Sequence, residues 1–206
     1  MKGPSTWLAG ALAASMAACG SSPPSAFFAL SPMASDARST VATPPPASAA
    51  PGLAVRTIRL RRPSIPSYLD RPEIVRRVVG YRLGVAANER WGGPLDEMIG
   101  RTLAQDIEER LPQSSVYVED GAITADPDAT IEVNVQRFEE GDGGDLTLVA
   151  EIAVERDGAH QASAARSVRL VAHPGASTSA LVAAMSDLLG RLAQEIAALL
   201  ARAPSP

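Results

Sequence analysis

ATIEVNVQRFEEGDGGDLTLVAEIAVERDG, residues 129–158, decides the architecture. Ile131, Val133 and Val135 alternate with Glu132, Asn134 and Gln136. Leu146, Leu148, Ala150, Ile152 and Val154 repeat the alternation. A period of two puts all the apolar residues on one face of a strand. Between the two runs lies Gly141-Asp142-Gly143-Gly144-Asp145, whose glycines accept the positive φ of a tight reversal. The stretch therefore predicts a long antiparallel hairpin with one apolar and one polar face. Glu139 and Glu140 fall on its expected solvent side, as does the pair Glu108-Glu109 on a helix further upstream.

Downstream, QASAARSVRLVA (161–172) is expected to pair with this hairpin. STSALVAAMSDLLGRLAQEIAALLARA (177–203) then carries Leu181, Met185, Leu188, Leu192, Ile196 and Leu199 at helical spacing. Leu189 and Leu200 lie off that stripe and suggest a second apolar face on which a homo-oligomer would form. Upstream, LAVRTIRL (53–60) reads as a strand. EIVRRVVGYRLGVAAN (73–88) reads as two strands or a hairpin about Gly80, and SVYVE (115–119) as a short strand. GGPLDEMIGRTLAQDIEERLP (92–112) is a helix: Pro94 opens it, Asp96 and Glu97 complement its positive end, and Pro112 stops it. The expected fold is α+β, a mostly antiparallel sheet with two amphipathic helices packed on one face. One domain, residues 53–206, is enough to hold it.

The N-terminus, MKGPSTWLAGALAASMAACGSS, has a different physics. Lys2 precedes an apolar run from Trp7 to Ala18 that is too short to cross a bilayer permanently. Ala17 and Ala18 lead straight into Cys19, the chain's one cysteine, which looks like the lipobox of bacterial lipoproteins; Met16 stands where leucine is usual. Residues 1–18 are thus expected to be a signal peptide and Cys19 the lipidated first residue of the mature chain. Gly20, rather than Asp, follows it, which by the same resemblance favours the outer membrane. Residues 19–52, rich in Pro, Ala and Ser, read as a tether. Ala26-Phe27-Phe28-Ala29-Leu30 interrupts it and is expected to dock as an edge strand, because two adjacent aromatics are costly to leave in water.

Little chemistry is legible. His160 and His173 lack ligand-spaced partners, and no nucleophile elbow, phosphate loop or zinc helix occurs. The Asp142–Asp145 turn lacks calcium-loop spacing, and Asp126-Pro127-Asp128 reads as a turn. The sequence predicts no enzyme, cofactor or metal. A net charge of −4 and a pI near 5.2 argue against nucleic acid as a partner.

One segment is unusual. Residues 57–77, TIRLRRPSIPSYLDRPEIVRR, concentrate arginines in an acidic protein. Prolines at 63, 66 and 72 stiffen it and lower the entropy lost on binding. Tyr68, Leu69, Asp70, Arg71 and Arg76 are the candidate partner-binding residues, since arginine pairs with carboxylate and phosphate alike.

Those residues also carry a resemblance. PSYLDRPEIVRR, followed by NERWGGPLDEMIGRTLAQDIEERLP, is similar to the ABC-type transport auxiliary lipoproteins typified by PqiC. The shared features are Cys19, Phe27-Phe28 with Leu30 and Pro32, Pro66 to Arg71, Trp91 to Leu95, Arg137-Phe138 and Leu181 to Ser186. Phe27-Phe28 departs from the family in lacking the common tyrosine hydroxyls. The resemblance implies a periplasm-facing, outer-membrane lipid-trafficking subunit. Its implied partners are an MCE-domain periplasmic protein and an inner-membrane transporter component. Two other readings stand beside it: an outer-membrane assembly lipoprotein acting with a β-barrel, and a lipoprotein hydrolase.

Overall fold

The computed structural model describes residues 24–33, 55–77, 80, 82–119, 125–141, 143–156 and 164–202. Cys19, His160 and most of the expected tether lie outside them. In chain order the elements are β1 (Ala26–Phe28), β2 (Thr57–Leu60), β3 (Glu73–Arg77), β4 (Leu83–Trp91), α1 (Leu95–Arg110), β5 (Ser115–Val118), β6 (Ala129–Glu140), β7 (Leu146–Arg156), β8 (Ala164–Ala172) and α2 (Thr178–Arg202).

The long hairpin forms as its alternation dictates. β6 pairs antiparallel with β7, and Gly144 takes φ +80° in the turn. β8 extends the sheet antiparallel to β7, while β2 is inserted parallel between β5 and β6, giving the order β5-β2-β6-β7-β8. Asp128, in the expected turn, fixes where β2 begins. Its Oδ2 accepts the backbone N–H groups of Arg56 at 2.7 Å and Thr57 at 2.9 Å, and those bonds hold its carboxyl below the usual range.

The apolar face of this sheet, with Ile58, Leu60, Ile131, Val133, Phe138, Leu148 and Ile152, is covered by both helices. α1 lies toward β5 and α2 toward β7 and β8, and the helices also pack on each other. The α+β class with mostly antiparallel pairing and two amphipathic helices is therefore present. The strands, however, divide between two sheets. β3 and β4 form the hairpin expected about Gly80, and β1 adds to the far side of β4 in parallel, giving a second sheet ordered β1-β4-β3. The docked edge strand expected at residues 26–30 is β1. Thr178 Oγ1 donates to Glu89 at 2.5 Å, and Arg76 reaches Glu140 at 3.1 Å. The small sheet thus sits where α2 begins and β6 ends.

Two surface expectations need correction. Leu189 and Leu200 are fully buried, because α2 is flanked by α1 as well as by the sheet and so hides more than one side of itself. They present no second free face. Glu139, expected in solvent, is 5 % exposed. A register shift between Val135 and Arg137 re-aims the end of β6, and the proline-rich segment that follows β2 lies against it. Glu108 is likewise engaged, its Oε1 accepting the Val116 N–H at 2.8 Å.

After β1 the chain crosses the helix pair. Leu30 enters the core, the Ser31 N–H donates to Ser186 Oγ at 3.2 Å, and the Met33 N–H donates to Asp106 Oδ1 at 3.0 Å. Gly190 makes this crossing close, since a Cβ there would run into the Met33 side chain. Asp106 is buried, with Arg110 3.6 Å away. Burial pushes its carboxyl up to about 6, while the Met33 N–H and Arg110 pull it the other way.

Candidate docking site

The segment from Arg61 to Pro72 is built onto the edge of β6. Backbone bonds run from Arg61 N to Ile131 O at 2.9 Å, from Ser64 N to Val133 O at 3.0 Å and from Val135 N to Ser64 O at 2.8 Å. Pro63 is buried against α1 at Gly100, where an added Cβ would lie 3.2 Å from the proline ring. Pro66 then starts a turn closed by Leu69 N to Pro66 O at 2.9 Å, and Trp91 N donates to Pro72 O at 2.8 Å. The prolines stiffen the segment as the sequence suggests.

The structure separates the five candidate residues. Leu69 is 3 % exposed and belongs to the core. Tyr68 is half-buried; burial and its hydrogen bond to the Glu139 carboxylate push its phenol up, so it remains a donor. Arg137 Nε stands 3.5 Å from the same Glu139. Arg76 is bound on two sides: to Glu140 at 3.1 and 3.4 Å and to the Ala176 carbonyl at 3.2 Å. Asp70 and Arg71 alone of the five are exposed, and no partner engages the Arg71 guanidinium among the described residues.

The apparent basic patch is largely neutralised within the chain. Arg59 meets Glu119 at 3.9 Å, and Arg61 pairs with Glu132. Arg62 bridges to Asp96 at 3.4 Å and Glu97 at 3.2 Å in the first turn of α1. Alternating charges in sequence hid these pairs, because each acidic partner lies 34 or more residues away. The carboxylates of α1's first turn were the one legible hint.

Two clefts open on this surface. The larger, about 600 Å³, lies over the polar face of the five-stranded sheet beside Arg61, Asn134, Glu151 and Arg166. Its polar groups are engaged, with Arg166 paired to Glu195 at 2.6 Å and Asn134 donating to Glu151 at 3.3 Å. The smaller, about 390 Å³, is lined by Asp70, Arg71, Pro72 and the Trp91–Leu95 entry to α1. Gly92 N donates to Phe28 O at 2.8 Å at its back. Residues far apart in sequence, Phe28, Pro66 to Arg71 and Trp91 to Leu95, thus meet at one place. The smaller cleft joins an exposed charge pair to a stiff rim and is the better docking surface. His173, exposed at the other end of β8, lies 2.7 Å from Asp145; no cluster of metal ligands occurs among the described residues.

Comparison with known proteins follows the same division. The family model for the ABC-type transport auxiliary lipoprotein component matches residues 40–197. A crystal structure of an uncharacterised protein superposes with TM-score 0.65 at 18 % identity, over 85 % of this chain and 98 % of that one. A Xanthomonas campestris protein superposes with TM-score 0.60 at 19 % identity, over 73 % and 90 %. At these identities the likeness is one of fold. A PelC dodecamer from Paraburkholderia phytofirmans reaches only TM-score 0.43, so its assembly carries no argument here. No curated protein matches.

Proposed function

The chain belongs to the family of ABC-type transport auxiliary lipoprotein components, and from that premise we propose a specific role for it. It is an outer-membrane lipoprotein subunit of an MCE-type, ABC-linked lipid-trafficking system, resembling PqiC. Acylated Cys19 holds it on the periplasmic face, and the domain, residues 53–206, docks the periplasmic conduit and so supports membrane integrity. The work is positional, not enzymatic, and asks for no cofactor. The observation that carries this reading is the Asp70-Arg71 pair. Of the arginines 59, 61, 62, 71 and 76, only Arg71 is left without a carboxylate, and it stands on a proline-stiffened rim beside a cleft.

The mechanism is recognition at a prepared surface. The cleft rim is fixed by Pro63, Pro66 and Pro72 and by the Tyr68–Glu139–Arg137 cluster beneath it. Little entropy is therefore lost when a partner carboxylate meets Arg71. Affinity isolation of the detergent-extracted full-length chain tests it. An MCE-domain protein co-purifying with the wild type but not with Arg71→Glu is the expected result. Recovery of a β-barrel in its place would favour the assembly-lipoprotein reading. Arg71 is the residue to change, because reversal at Arg76 would also break its internal pair with Glu140.

A further inference from the structure

The five-stranded sheet has two edges, and they are finished differently. β5 is four residues long, and the N–H of Val116 on its outer side is taken by Glu108 Oε1. β8 is nine residues long, pairs with β7 in unbroken register, and contains no proline or glycine. The direction of its backbone groups follows from the neighbouring strands, because residues of an antiparallel strand bond alternately to one side and the other. Ile131, Val133 and Val135 of β6 bond toward the Arg61–Ser64 segment, so Glu132 and Asn134 bond to β7. Their opposites, Ala153 and Glu151, therefore face β6, and Ile152 and Ala150 face β8. The partners of these two are Arg166 and Val168, which leaves Ala165, Ser167, Arg169 and Val171 with N–H and C=O groups pointing outward. Arg191 of α2 donates to the Val171 carbonyl at 2.9 Å, as that alternation requires. Among the described residues, none bonds the backbone of Ala165, Ser167 or Arg169 on this edge.

We infer that this edge receives an extended, acidic segment of a partner protein, which adds to the sheet as a sixth strand. An unpaired strand edge is a ready template for such addition. Charge identifies the occupant. Arg169 and Arg191 stand exposed at the edge, and neither forms an ion pair among the described residues. Arg166, on the helix side, is already paired with Glu195 at 2.6 Å. Arg169 projects on the polar face, where its neighbours along the edge, Ala165 and Ser167, are small and leave room for long carboxylate side chains. A second copy of this strand does not fit, since β8 carries two arginines and no acidic residue. Acidic side chains alternating along a partner strand would meet Arg169 and, at the strand's end, Arg191. Backbone bonds to Ala165, Ser167 and Arg169 supply the affinity, and the two guanidiniums supply the choice of partner. The edge is separate from the Asp70-Arg71 cleft, and neither surface depends on the other.

Two synthetic peptides, added to the detergent-extracted full-length chain, test this by binding and by amide exchange. One alternates valine with glutamate over nine residues, the length of β8, and the other carries lysine in place of each glutamate. The expected result is slower exchange at the amides of 165, 167 and 169 with the glutamate peptide, and binding several-fold weaker for the lysine peptide. Ser167→Pro removes an outward N–H without touching the bonds to β7, so it should abolish binding of the glutamate peptide. Arg169→Glu, an exposed change that keeps every backbone group, should reverse the preference between the two peptides. Unchanged exchange at those amides would overturn the inference. So would equal binding of both peptides by the wild type, an unaltered preference in Arg169→Glu, or full binding by Ser167→Pro. Protection of the same amides that grows with protein concentration and needs no peptide would assign the edge to a second copy and also overturn it.

Discussion

In the five-stranded sheet, the face away from the helices carries paired charge, Arg61 with Glu132 and Arg59 with Glu119, and a hydrogen bond from Asn134 to Glu151. The three-stranded sheet leaves Phe27, Val85 and Leu83 exposed, and its β3–β4 register is irregular between Glu73 and Val75. Both sheets come from one chain, yet the large one alternates regularly enough to finish its outer face for water and the small one does not. The difference teaches that the large sheet and its helices are a self-contained body, to which the small sheet is joined through Arg76–Glu140 and Thr178–Glu89.

The largest effect expected from breaking this contrast is in the body. Leu188 is fully buried on α2, and Leu188→Ala should cost about 2–5 kcal/mol in urea denaturation. Next comes the joint between the sheets. Arg76→Glu sets a second carboxylate against that of Glu140, which is itself mostly buried, and should cost on the order of 1–3 kcal/mol. It should also expose the small sheet to faster amide exchange. A smaller and pH-dependent effect is expected at the crossing of Met33. The folded Asp106 carboxyl lies near 6, above its ordinary 3.8. Its contribution is therefore fully present below pH about 4 and is lost as pH rises through about 6. Asp106→Asn keeps an acceptor for the Met33 N–H and should flatten that loss, gaining on the order of 1 kcal/mol at pH 8. The smallest stability effects belong to the outward residues: Val85→Ser and Arg71→Glu should each lie within about 0.5 kcal/mol of wild type. The change in Arg71→Glu should appear instead in partner recovery.

The sequence made some of this readable and hid the rest for identifiable reasons. The β6–β7 hairpin and the α2 stripe are local periodicities and the ends of α1 are local signals, so they could be read directly. β1 could be read because Phe27-Phe28 is too apolar for a tether. The division into two sheets could not, because nothing local says whether a hairpin such as β3–β4 joins a neighbour or stands apart. The burial of Glu139 depends on an irregularity near Gln136 and on a segment some 70 residues earlier. Leu189 and Leu200 looked free because a helical wheel cannot show that α1 covers a second side of α2. At the candidate site, the arginine-rich composition pointed to the right segment. It misjudged the charge left over, since the neutralising partners are contacts made only in the fold. Tyr68 and Leu69 read as partner-binding residues and instead anchor the rim from beneath, leaving Asp70 and Arg71 to face outward.

A photo-crosslinking residue placed at position 71 of the full-length chain in living cells tests the docking surface most directly. The account predicts protein adducts, with an MCE-domain protein as the principal species. Lipid adducts alone, or adducts to a β-barrel in place of the MCE-domain protein, would contradict it.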